Sequence, residues 1–93
     1  MGATKSVVIT GSTSGIGQGV AQAFAQAGFN VMLNGFGQAE EIEAQRAGLE
    51  RDYGIQARYS GADMTKPEEI VAMMAEAESA FGQVDVLVNN AGI

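Results

Sequence analysis

The residues of this chain with the most chemical meaning form one run, Thr10-Gly11-Ser12-Thr13-Ser14-Gly15-Ile16-Gly17. Its glycines allow a tight turn and close approach of the backbone to a charged ligand, and the hydroxyls of Thr13 and Ser14 add donors. Where such a turn carries a strand into a helix, free amides and the positive end of the helix dipole meet a pyrophosphate. The strict G-x-G-x-x-G spacing is absent, because Val20 stands where a third glycine would follow Gly15 and Gly17. A P-loop is absent too, since no Lys follows in Gly17-Gln18-Gly19. Taken alone, the run also fits a simple tight turn.

Two further places carry polar chemistry. The carboxylate of Asp63 can accept a hydrogen bond from the amino group of a base, or organise the turn before Thr65. Asn89 and Asn90, in Asn89-Asn90-Ala91-Gly92, can face a ligand or satisfy backbone groups between neighbouring strands. The chain has no His and no Cys. That excludes a disulfide framework, thiolate or imidazole metal ligands, a Cys nucleophile and a His base.

These residues need elements to hold them. Ser6 to Thr10 is a β-branched run without alternation, as expected of a strand buried on both faces of a parallel sheet. Ile16, Val20, Phe24 and Ala27 then recur at helical spacing up to Gly28. The unit repeats. Asn30 to Asn34 predicts a second buried strand, and Ile42, Leu49 and Tyr53 the face of a second helix, with Gly54 after it. Ile55 to Ala62 is more polar, as an outer strand would be. Thr65 and Glu68 form a capping-box pattern with Pro67 in the first turn of a third helix, whose face is Ile70, Met74, Ala77 and Phe81. Val84 to Val88 completes a fourth strand. This alternation predicts an α/β fold, the first half of a Rossmann-type doubly wound parallel sheet with strand order 3-2-1-4. Met32, Met64, Met73 and Met74 read as packing residues, and no linker divides residues 1–93.

The net charge of −6, with only five Lys and Arg, argues against nucleic acid or an anionic membrane and for a small-molecule partner. The acids at Glu40, Glu41, Glu43, Glu50 and Asp52, and at Glu68, Glu69, Glu76 and Glu78, read as solvated helix faces. No apolar run approaches the roughly 20 residues of a membrane span. With no secretory signal, a cytoplasmic location is expected. Met1 to Ser6 matches a short myristoylation pattern, but reads better as a leader before the first strand.

Thr10-Gly11-x-x-x-Gly15-x-Gly17 together with Asn89-Asn90-Ala91-Gly92 resembles the short-chain dehydrogenase/reductase family, each motif at a strand end and in the family's order. The resemblance extends over all 93 residues, including Asp63. It implies the N-terminal part of a single dinucleotide-binding domain. Gly11, Thr13, Ser14, Gly15 and Ile16 would then line the pyrophosphate, Phe36 would lie beside the adenosine, and Ala62, Asp63 and Met64 would border the adenine. Asn90, Ala91 and Gly92 would reach toward the ribose and nicotinamide. Phe36 has an alternative as a packing residue under its loop. Asn34-Gly35-Phe36-Gly37 further resembles bacterial D-3-hydroxybutyrate dehydrogenases, which oxidise 3-hydroxybutyrate to acetoacetate with NAD.

Gly35 occupies the strand-end position where an acid would select NAD. No Lys or Arg occurs from Gln18 to Gln45, however, so a 2′-phosphate would lack a counter-charge and NAD is the expected cofactor. The family's catalytic Ser and Tyr-x-x-x-Lys are not matched: Ala57 and Asp63 stand at the fourth place after Tyr53 and Tyr59. The resemblance therefore implies a cofactor-binding piece of a larger enzyme, tetrameric in the family, acting on a small hydroxy acid. The alternatives are another short-chain dehydrogenase, such as a 3-oxoacyl-carrier reductase or a sugar dehydrogenase, or a nucleotide-binding module without catalysis.

Overall fold

The computed structural model describes residues 4–90. Strands β1 (Ser6–Thr10), β2 (Asn30–Asn34), β3 (Ala57–Ser60) and β4 (Val86–Asn89) alternate with helices α1 (Gly15–Gln26), α2 (Ala39–Tyr53) and α3 (Pro67–Phe81). All pairings are parallel, in the order β3-β2-β1-β4 expected from the sequence. The outer strands are shorter than their sequence patterns: β3 keeps only 57–60, and β4 starts at Val86.

The central strands lack sequence alternation because both faces of the sheet are covered. Val7, Ile9, Val31 and Leu33 point to one face, where Ala21 and Ala25 of α1 and Leu49 of α2 meet them. Val8 and Met32 point to the other, against Met73 and Ala77 of α3. Small residues on α1 let the helix approach the strands closely. Each fully buried Val, Leu, Ile or Met contributes about 1.5–3 kcal/mol relative to exposure. Met64 and Met74 pack beside the second cluster, so Met32, Met64, Met73 and Met74 all take part in packing.

The helix ends follow two local rules and break one. Gly28 (φ +91°) and Gly54 (φ +70°) take the positive φ that a bulkier residue resists just past α1 and at the end of α2. The expected capping box does not form before α3. Lys66 is the N-cap residue, without a side-chain cap bond. Thr65 instead directs both its N–H and its hydroxyl to Asp63 Oδ1, at 2.9 and 2.7 Å. Glu69, not Glu68, reaches back, accepting from Asp63 N–H at 2.8 Å. An Asp two residues before Thr65 offers that side chain a shorter loop than the helix amides do.

Two helix faces also differ from expectation. Tyr53 is exposed at the end of α2, leaving Ile42 and Leu49 as its buried residues. On α3 the fully buried pair is Met73 and Ala77, while Ile70, Met74 and Phe81 are half-buried. No helix among the described residues is long and apolar enough to cross a membrane.

Candidate functional site

The glycine run lies where β1 hands over to α1, at the carboxyl end of the sheet, and it is anchored from beneath. Ser12 is fully buried. Its N–H donates to Asn34 O at 2.6 Å, its hydroxyl donates to Ile9 O at 2.8 Å, and it accepts from Asn34 N–H at 2.9 Å. Gln45 reaches over from α2 and donates to Ser12 O at 2.9 Å. The loop is therefore fixed before any ligand arrives.

Asn34 ties three strand ends together. Its amide nitrogen donates to Ser60 O and Ala62 O, both at 3.0 Å, and its Oδ1 accepts from Gly11 N–H at 3.4 Å. Tyr59 donates its hydroxyl to Gly35 O and so holds the turn after β2. On the other flank, Thr10 donates to Asn89 Oδ1 at 3.1 Å and accepts from Asn90 N–H at 3.0 Å. Asn90 Nδ2 donates to Gly11 O at 3.1 Å. Asn90 thus does the backbone-satisfying work that the sequence allowed as one of its roles, while the Asn89 side chain holds the Thr10 hydroxyl.

Gly17 explains why that carbonyl comes so close. A Cβ on Gly17 would stand 2.1 Å from Gly11 O and 2.7 Å from Asn90 Nδ2. Gly15 differs: its φ is +60° and nothing lies within 4 Å of where a Cβ would be. It leaves open space above the turn. Ser14, the α1 N-cap residue, makes no side-chain cap bond. The first amides of a helix have no intrahelical acceptor, so this end of α1 is free to receive an anion.

Beside this turn lies a cleft of about 400 Å³. It brings together most of the expected site residues: Gly11, Thr13, Ser14, Phe36, Ala62, Asp63 and Met64. Asn34, Gly35 and Thr65 complete its walls. Phe36 is 73% exposed, which excludes the packing role that was its alternative. Ile16 stands out in solvent on the first turn of α1 and does not line this cleft, and Asn90 lies behind Gly11 rather than in the cleft. Ala91 and Gly92 lie outside the described residues.

Asp63 does organise its turn. The Thr65 N–H, and then the Thr65 hydroxyl, hold its carboxyl below the usual carboxylate range. No Lys or Arg lines the cleft, and no group of metal-ligating side chains occurs among the described residues. The donors that face the cleft are therefore neutral, backbone amides and hydroxyls.

The holding roles of Ser12, Asn34, Gln45 and Tyr59 were not expected from the sequence, and Gly17 entered only as part of the glycine motif. Their partners are distant along the chain, so the local pattern around each gave no sign of them.

The sequence profile of the short-chain dehydrogenases matches residues 5–93. The chain belongs to the short-chain dehydrogenase family. It is 52% identical over 89 residues to a D-beta-hydroxybutyrate dehydrogenase of Cupriavidus necator, covering 96% of this chain and 34% of that protein. A Rhizobium meliloti protein of the same name is 50% identical over 93 residues, 97% of this chain and 35% of the relative. A 3-oxoacyl-acyl-carrier-protein reductase of Staphylococcus aureus is 42% identical over 95 aligned positions, covering 97% and 36%. The chain thus spans about a third of the length of these relatives.

Among solved structures, a short-chain dehydrogenase/reductase from Sinorhizobium meliloti superposes with a TM-score of 0.90 at 33% identity, over 100% of this chain and 42% of that one. L-sorbose reductase from Gluconobacter frateurii, solved with NADPH and L-sorbose, gives a TM-score of 0.87 at 35% identity, over 98% of this chain and 34% of that one. The Rossmann-like parallel architecture of this family is therefore the architecture seen here.

Proposed function

We propose that the chain is the NAD-binding portion of an oxidoreductase that converts D-3-hydroxybutyrate to acetoacetate. The observation that carries the cofactor reading is the cleft at the carboxyl ends of β1 and β2, open above Gly15 and bordered by Phe36 and Asp63. A dinucleotide fits the donor set: the uncapped amides of α1 for the pyrophosphate, and the exposed Phe36 ring for the adenosine. Thr13 and Ser14 add hydroxyls to the same wall, and Ala62, Asp63 and Met64 border the adenine. The absence of Lys and Arg from this cleft favours NAD over NADP, although the sorbose reductase was solved with NADPH.

A nicotinamide dinucleotide held there would supply the hydride acceptor for oxidation of the alcohol, and the hydroxyl proton would need a base. That base is not proposed among these residues. Tyr53 lies at the far end of α2, and the Tyr59 hydroxyl is engaged by Gly35 O. The part played by this chain is binding and orientation. The substrate reading is supported by the 52% and 50% identities to hydroxybutyrate dehydrogenases against 42% to the carrier-protein reductase.

The test is an assay of the protein expressed from its own reading frame. NADH formation with the D enantiomer of 3-hydroxybutyrate and NAD is expected. Turnover only of a 3-oxoacyl thioester with NADPH would select the reductase alternative. Gly15→Val, which places a branched side chain in the open space over the turn, is expected to abolish NAD binding by calorimetry, and unchanged affinity would remove this loop from the site.

A further inference from the structure

A second hollow, of about 290 Å³, meets the first at Thr13, Ser14 and Phe36 and runs between the first turns of α1 and α2. Gln18, Gln38, Gln45 and Glu41 line it, and no Lys or Arg does. The Glu41 carboxylate enters no hydrogen bond or ion pair among the described residues, whereas Glu43 and Glu50 are both held by Arg46. It is an uncompensated charge beside a polar hollow.

The position where a strand-end acid would choose the cofactor is closed to a side chain. A Cβ on Gly35 would meet Thr13 Oγ1 at 2.4 Å, and its φ of +149° disfavours any L residue. Thr13 cannot move aside freely, because its hydroxyl donates to Phe36 O at 3.0 Å. An acid at position 35 would thus dismantle the wall that the two hollows share.

We propose that discrimination against a 2′-phosphorylated ribose is carried by Glu41 from helix α2, in place of an acid at the end of β2. This rests on the reading of the first cleft as a dinucleotide site with adenosine along Phe36. Two forces compete in the second hollow. The first turn of α2 has no side-chain cap, and its dipole attracts an anion. Glu40 and Glu41 oppose that attraction, and of the two only Glu41 lines the hollow. A carboxylate about 6 Å from a phosphate dianion, screened as in water, weakens binding about tenfold.

The experiment measures the affinities of NAD and NADP by calorimetry for the protein expressed from its own reading frame, for Glu41→Gln and for Glu40→Gln. Glu41→Gln is expected to tighten NADP about tenfold while NAD stays within about twofold, and the gain should shrink as salt is raised. Glu40→Gln should leave the ratio unchanged. The proposal is overturned by an unchanged NADP-to-NAD ratio in Glu41→Gln, or by an equal shift in Glu40→Gln, which would reduce the effect to net charge. Wild-type protein that binds neither dinucleotide would overturn the site reading itself, together with this inference. A preference for NADP in the wild type would do so for the NAD assignment.

Discussion

Two glycines on one helix, two positions apart, should answer the same substitution with opposite signs. Both Gly17 and Gly19 lie in α1, so replacement by Ala brings each a helix-propensity gain of up to about 1 kcal/mol. Around Gly19 a Cβ meets nothing within 4 Å, and the gain stands. Around Gly17 it would sit 2.1 Å from Gly11 O, more than an ångström inside ordinary contact, and the obstacle is backbone. Relief requires α1 to move off the loop, which strains the core by about 1–3 kcal/mol and breaks the Asn90 to Gly11 bond, worth about 1 kcal/mol. The net for Gly17→Ala is a loss of about 2 kcal/mol. In a chain of this size that lowers the thermal midpoint by about 10 °C, while Gly19→Ala raises it by about 4 °C. Circular dichroism melts of the two variants beside the wild type decide it. If Gly17→Ala melts at or above the wild-type temperature, the close approach of α1 to the loop is not as described.

Ser12→Ala leaves the buried Asn34 N–H without its hydroxyl acceptor and should cost about 1–3 kcal/mol in urea unfolding; a loss below about 0.5 kcal/mol would show that another acceptor replaces it. Glu50 is held below the usual carboxylate range, first by the Ala57 N–H and then by Arg46 and Arg58. Its contribution is therefore present above the unfolded value of about 4.5 and is lost as pH falls through the lower folded value. Glu50→Gln should flatten that acid limb of the stability curve, and an identical limb in both proteins would refute the assignment. The 93-residue chain by itself should melt below about 50 °C, because β4 is an edge strand with Leu87 54% exposed; a cooperative transition above that would contradict the expectation.

What was legible in the sequence was local. The β-branched runs at Ser6–Thr10 and Asn30–Asn34 announced buried strands, because a parallel sheet covered on both faces calls for apolar side chains at successive positions. Apolar spacing and the glycines at 28, 54 and 82 marked the helices, and short connections left right-handed crossovers and one strand order. The glycine run between strand and helix located the ligand end of the sheet. The capping box misled because its pattern records which side chains can reach the helix amides, and not that Asp63 lies nearer to Thr65.

The tertiary structure decided which residues hold the site and which merely face it. Asn34 looked like the last residue of a strand, yet it joins Gly11, Ser60 and Ala62 because the order β3-β2-β1 sets these strand ends side by side. Gly35 read as a missing acid, and the fold shows that Thr13, 22 positions earlier, fills the space an acid would need. Gly17 read as one glycine among several until Asn90 and Gly11 closed on it. Periodicity along a chain reports what each segment does with its own hydrogen bonds and its own apolar face. Contacts between segments depend on how far apart the backbones come to rest, and that distance is set only when the sheet is assembled.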